Sequence, residues 1–203
     1  MIPFELDRLQ HIGAKVFLSR FPPDGLDLCI PIFHRWIQQD ACPELLIDVA
    51  DYRHLPVGPG VILVAHEANY SLDRTRGRLG LSYQRKTTLE DSFEAKLKLS
   101  LQRAYEAARR LEQEQELRGR LAFDFLHWEI VFNDRLLAPN RPQNWTLVTQ
   151  RLTELVECCW PGTQKNARFH HPGEPRDLLR VEWTLPQDTE PAAAFQHFLD
   201  AFP

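Results

Sequence analysis

Apolar positions along the chain recur with two periods, and the switches between them outline the elements. "HIGAKVFLS" (His11 to Ser19) reads as a strand turned by "FPPDG". From Leu26 the apolar residues Cys29, Ile30, Phe33, Trp36 and Ile37 fall at helical spacing, with Asp27 as the cap and Pro31 tolerable only near the first turn. "ELLIDVADY" (Glu44 to Tyr52) and "GVILVAHEA" (Gly60 to Ala68) are β-branched runs, and "RHLPVGPG" between them is too rich in proline and glycine for regular structure. "NYSLD" and "RLGLSYQRK" flank the turn "RTRG", which predicts a hairpin.

The longest periodic run extends from about Thr88 to Leu117, where Phe93, Leu97, Leu101, Ala104, Ala108 and Leu111 share one face. Thr87 with Glu90 resembles a capping box, and Gly119 suits the left-handed residue beyond the helix. "RLAFDFLHWEIVFND" predicts one long strand or a hairpin, Thr146 to Cys159 a helix, Leu178 to Leu185 a strand, and "EPAAAFQHFLDAF" a closing helix. Strands joined by short turns, with helices between groups of them, predict an α+β fold: a mainly antiparallel sheet, one long amphipathic helix and two to three shorter ones. We expect a single domain over residues 1–203. A β-α-β-β-β-α half followed by a β-β-α-β-β-α half hints at two related sub-units, about 1–119 and 120–203, although the residues do not align as a repeat.

Composition narrows the function. The 203 residues are 43% hydrophobic and 26% charged, enough for a substantial core. No run of about 18 apolar residues occurs and the opening residues lack a signal-like apolar core, so a cytoplasmic protein without membrane association is expected. With a net charge of -4, bulk attraction to nucleic acid is not expected either. Cys29, Cys42, Cys158 and Cys159 are too sparse for a disulfide framework, and the adjacent pair is read as buried or half-buried helix residues. G-x-S-x-G, Walker-type and dinucleotide-binding glycine motifs do not occur. Only His170 and His171 lie close together among eight histidines, so neither a metal nor another cofactor is expected.

One stretch breaks the pattern of interspersed charge. "LDRTRGRLGLSYQRK" (Leu72 to Lys86) carries Arg74, Arg76, Arg78, Arg85 and Lys86 against Asp73, a local surplus of +4. Arginine suits bidentate binding of phosphate and stacking on a base. In a regular hairpin Arg74, Arg76 and Arg78 would alternate along one side, with Tyr83 and Tyr70 supplying aromatic faces and Arg53 and Asp51 nearby. A charged edge that prevents aggregation fits the same residues.

Asp48 and Asp51, ending an apolar strand before Arg53 and His54, are candidates for acid–base chemistry. By period two Asp48 shares a face with Leu46 and Ala50, so a partly buried, purely structural carboxylate is the simpler reading. His66, on the face of Ile62 and Val64, reads as a core histidine. "FNDRLLAPNRPQNW" (Phe132 to Trp145) is read as a strand end and helix cap before it is read as a binding loop.

The runs "LLIDVADYRHLPVGPGVILVAHEANYSLD", "GRLGLSYQRK" and "NDRLLAPN", together spanning roughly Val16 to Asn140, resemble a bacterial family frequent in cyanobacteria. Most of its members are without assigned function, and one branch is a receptor for the second messenger cyclic di-GMP that takes part in cell-size control. The resemblance implies a ligand with two phosphates and two guanines, which arginine can bind at either group. Arg74 and Arg78 also form the R-x-x-x-R spacing of PilZ domains, but "NYS" precedes them and no D/N-x-S-x-x-G element follows, so this is not a PilZ domain. The leading expectation is a non-enzymatic cyclic di-GMP receptor acting on an unidentified protein partner, a homodimer through its long helix unless the apolar seam is consumed by the chain's own sheet, the commoner fate of such a stripe. The alternatives are a small hydrolase or transferase acting on a phosphorylated substrate through Asp48, Asp51 and His54, and a scaffold without a ligand.

Overall fold

A computed structural model describes residues 4–159, 168–170, 174, 176–185 and 191–202. Strand β1 (Ile12–Arg20) leads through helix α1 (Gly25–Gln38) to the strands β2 (Leu46–Asp51), β3 (Val61–Ala65), β4 (Ala68–Asp73) and β5 (Gly80–Arg85). Helix α2 (Phe93–Gln113) follows, then β6 (Ala122–Phe132), α3 (Pro142–Cys159), β7 (Arg168–His170), β8 (Leu179–Thr184) and α4 (Pro191–Asp200). The strands form one antiparallel sheet in the order β2-β3-β4-β5-β1-β6-β8-β7, so the fold is α+β. The two halves run β-α-β-β-β-β-α and β-α-β-β-α and meet where β1 pairs with β6.

All four helices cover one face. The strands alternate accordingly: Val61, Leu63, Ala65, Tyr70, Leu72, Leu81, Tyr83, Ala14, Val16, Trp128, Ile130, Val181 and Trp183 are buried beneath them. Trp128 stacks on Phe195 of α4 at 4.1 Å, and Phe93 of α2 stacks on Phe132. The periodic residues of α2, from Phe93 to Leu111, are all buried against β1, β5 and β6. Burying each large apolar side chain stabilises by about 1.5–3 kcal/mol, which explains why the stripe faces the chain's own sheet. The seam expected to join two copies is therefore covered from within.

Several expectations shift. The helix starts at Phe93, capped by Ser92, whose Oγ accepts the Ala95 amide, while the Leu89 amide donates to the Gln10 side chain outside the helix. It ends before Glu114, and Gly119, with φ +71°, belongs to the turn that follows. Pro31 lies inside α1. The run from Gly60 to Ala68 is broken at His66 and Glu67, which form the β3–β4 turn. His66 is accordingly exposed instead of sitting in the core. A register shift between Leu46 and Asp48 puts these two on opposite faces: Leu46 lies opposite Ala65 and is buried, whereas Asp48 lies opposite Val64 and is exposed. The "RLAFDFLHWEIVFND" run is one strand. Cys158 is exposed; the side chain of Cys159 and all of His171 lie outside the described residues.

Candidate functional site

The other face of the sheet carries no helix among the described residues, and its side chains are polar in register. Two rows cross it. One runs Ile62, Ser71, Ser82, Lys15, Glu129, Glu182; the next runs Val64, Asn69, Gln84, Gly13, Val131, Arg180. Small residues hollow the middle of this surface. Gly80, beside Lys15, has no room for a side chain, since a Cβ there would lie 2.4 Å from the carbonyl oxygen of Val16. The hollow is a cavity of about 300 Å³ lined by Asn69, Ser71, Asp73, Ser82, Gln84 and Arg180, among others.

Charge at its floor is sealed. Lys15 Nζ donates to Asp73 Oδ2 at 3.0 Å and to the Arg78 carbonyl at 2.7 Å, with 1% of its side chain exposed. Arg180 Nη1 donates to Glu129 Oε2 at 2.9 Å. Burial lowers the Lys15 pKa and raises that of Glu129, and the opposite charges around them only partly offset this. Asp73 also accepts the Thr75 amide and hydroxyl, which fixes the β4–β5 turn as one wall. Asn133 lines the opposite side. The rest of its segment is structural: Asp134 accepts the Leu137 amide and Asn144 donates to the Pro139 carbonyl at the start of α3.

The turn is not a regular hairpin tip. Thr75–Gly77 forms a 3-10 turn in which Arg76 has φ +65°, so the three arginines diverge instead of alternating along one side. Arg74 Nη2 donates to the carbonyls of Arg53 and Leu55, bracing the β2–β3 loop. Arg76 lies 3.6 Å from Asp177. Arg78 donates to Glu182 at 2.9 Å, and its guanidinium lies 3.6 Å from the centroid of the Phe17 ring. Arg76 and Arg78 thus stand half-exposed on the turn that rims the cavity without lining it, Arg76 next to the lining residue Thr75 and Arg78 in a separate depression with Phe17 and Asp124.

The remaining candidates lie elsewhere. Arg85 and Lys86 sit at the far end of β5, donating to the carbonyls of Thr87 and Ala65. Arg53 is held by Asp51 and Asp27, and Asp51, bound by that guanidinium, is pulled down to about 2. Tyr83 and Tyr70 face the helices, where both hydroxyls donate to the buried carboxylate of Glu44, at 3.1 and 2.5 Å, with Arg103 at 3.3 Å. They offer no aromatic surface to the cavity. Asp48 Oδ1 accepts the neighbouring Val49 amide and Asp48 lies opposite Val64 while Asp51 lies opposite Val61, on alternate faces, so Asp48 does not join Asp51 and the nearby His54 in a shared site.

The local surplus of positive charge is partly offset in three dimensions: Arg76 and Arg78 gain Asp177 and Glu182, whereas Arg74, Arg85 and Lys86 donate to neutral backbone carbonyls. Around the cavity Lys15, Arg76, Arg78 and Arg180 meet Asp73, Asp177, Glu182 and Glu129, four cations against four anions. Sequence reasoning missed this cluster, although Lys15 and Glu129 each stand as a charge flanked by apolar residues inside a strand, a pattern that signals partnered burial. Among the described residues no helix is long and apolar enough to cross a membrane, and no group of three or more metal-ligating side chains is assembled. The chain matches no protein-family model, no curated protein and no solved structure.

Proposed function

We propose that this chain is a non-enzymatic receptor that takes a nucleotide on the uncovered face of its sheet, with cyclic di-GMP as the specific ligand, and that it acts through a protein partner. The observation that carries this reading is the cavity itself. Ser71 faces Ser82 and Asn69 faces Gln84 in a hollow that Arg180 lines, with Arg76 and Arg78 on the adjoining turn. Amide and hydroxyl groups at this spacing supply donors and acceptors for the edge of a base, and the arginines can take phosphate in a bidentate fork. The carboxylates beside the cavity are occupied by cations, which suits holding a ligand more than transferring its protons.

A volume of about 300 Å³ is at the lower bound of ligand pockets, about 300–1,000 Å³, and suits one half of a cyclic dinucleotide. Two copies of the chain, each holding one half, would match the two-fold symmetry of the ligand. Because the rim arginines already hold Asp177 and Glu182, phosphate must displace a carboxylate to bind.

The test is isothermal titration calorimetry with cyclic di-GMP at physiological salt, with cyclic di-AMP, cyclic GMP and GTP as controls. Saturable binding of cyclic di-GMP alone, lost in Ser82→Phe and Arg78→Ala and kept in Asp51→Ala, is the expected result. Absence of heat with all four nucleotides overturns the reading.

A further inference from the structure

The sheet ends at β2, and this edge differs from the rest of the surface. The opposite edge, β7, is three residues long; β2 has six. Short edge strands are a common protection against pairing with other chains, and β2 lacks it. Of the exposed large apolar residues, Leu45 (63%), Ile47 (54%), Tyr52, Leu55 and Val57 (63%) belong to β2 or to its flanks. The register shift that turns Asp48 outward leaves Ile47 exposed. An apolar cluster gathered along one open edge marks an interaction surface more than chance exposure does.

The backbone there is open as well. Tyr52 donates its amide to the Gly60 carbonyl across the β2–β3 pair. By alternation along an antiparallel ladder, Val49 and Asp51 present their amides and carbonyls to the outside. The Val49 amide is occupied only by the adjacent Asp48 carboxylate. Charge then selects the occupant. Asp51 is neutralised by Arg53, but Asp48 has no cation partner among the described residues. Self-pairing of two β2 strands would set two copies of the unpaired Asp48 along one short ladder, and like charges across a ladder are destabilising.

We infer that β2 is a docking edge for an extended segment of a partner protein that carries apolar and basic residues together on one face, adding as a further antiparallel strand. Apolar side chains of that segment cover Leu45 and Ile47, a basic one reaches Asp48, and main-chain groups pair with those of Val49 and Asp51. The inference stands apart from the nucleotide reading: either can fail alone.

The experiment titrates the full-length chain into a dye-labelled extended peptide that carries valines and a central lysine on one face and threonines on the other, and follows fluorescence anisotropy. Two comparison peptides replace lysine by glutamate or place proline at the centre. We expect saturable binding of the valine–lysine peptide, at least tenfold weaker binding of both others, and slowed hydrogen exchange of the Asp51 amide in the complex. Asp48→Lys, an exposed change whose folding is verified by its thermal melt, should invert the order of the lysine and glutamate peptides. Equal binding of the central-proline peptide, no binding at all, or an unchanged order in Asp48→Lys overturns the proposal. So does sedimentation of the free chain as a dimer whose β2 amides are already protected, which would make the edge homotypic.

Discussion

Lys15 and Asp73, 58 residues apart in the chain, meet at 3.0 Å on the uncovered face of the sheet, with the ammonium almost sealed from water. A buried pair of this kind adds little net stability when intact, but removing one partner strands the other charge. Lys15→Met is therefore expected to destabilise the chain by about 3 kcal/mol, read from the urea midpoint. Lys15→Met combined with Asp73→Asn should recover much of that loss. Additive losses in the double variant would show that the two side chains act independently.

The same cluster predicts opposite pH dependences for its two ends. Burial raises Glu129 above its ordinary 4.5, so between 4.5 and the folded value the native state holds more protons than the unfolded one, and stability falls as pH rises through that window. Burial lowers Lys15 from 10.5, so between the folded value and 10.5 the unfolded state holds more protons, and stability rises with pH there. In a melting-temperature series across pH, Glu129→Gln should remove the acid-side fall and Lys15→Met the alkaline-side rise. A variant profile parallel to the parent in its window would refute the assignment for that residue.

How far these features were legible depends on the distance over which the signal acts. The stripe of α2 is local, and the buried positions Phe93, Leu97, Leu101, Ala104, Ala108 and Leu111 were readable from spacing alone. The hairpin of β4 and β5 was readable for the same reason. Charge balance is not local. The surplus in Leu72 to Lys86 is visible along the chain, whereas the acids that partly offset it, Asp177 and Glu182, arrive from about a hundred residues away, just before β8 and within it. Asp48 was assigned the wrong face because a single register shift reverses every side chain beyond it.

Glu44 illustrates another long-range assembly and supports its own prediction. Its carboxylate accepts the hydroxyls of Tyr70 and Tyr83 beneath α2. Glu44→Ala leaves two buried hydroxyls without an acceptor and should destabilise by about 2–4 kcal/mol, whereas Glu44→Gln, which keeps a carbonyl acceptor, should lose less. Burial and the neighbouring carboxylate push Tyr83 up to about 12, and Tyr70 rises further, so a near-ultraviolet alkaline titration of the folded chain should show both phenols ionising above the ordinary value. Ionisation of all tyrosines in one step near the ordinary value would contradict this packing.

The rim provides a prediction whose sign is unusual. If nucleotide phosphate takes Arg76 and Arg78 away from Asp177 and Glu182, those carboxylates are competitors, and neutralising them frees the guanidiniums. Asp177→Asn and Glu182→Gln should each tighten cyclic di-GMP binding by about threefold to tenfold, about 0.7–1.4 kcal/mol, while Arg76→Ala and Arg78→Ala weaken it. Both acids are at least partly exposed, so the changes should leave the melting temperature nearly unmoved. Calorimetric titration of the four variants decides the matter. Weaker binding on neutralising the acids would show that the ion pairs position the rim for the ligand instead of competing with it.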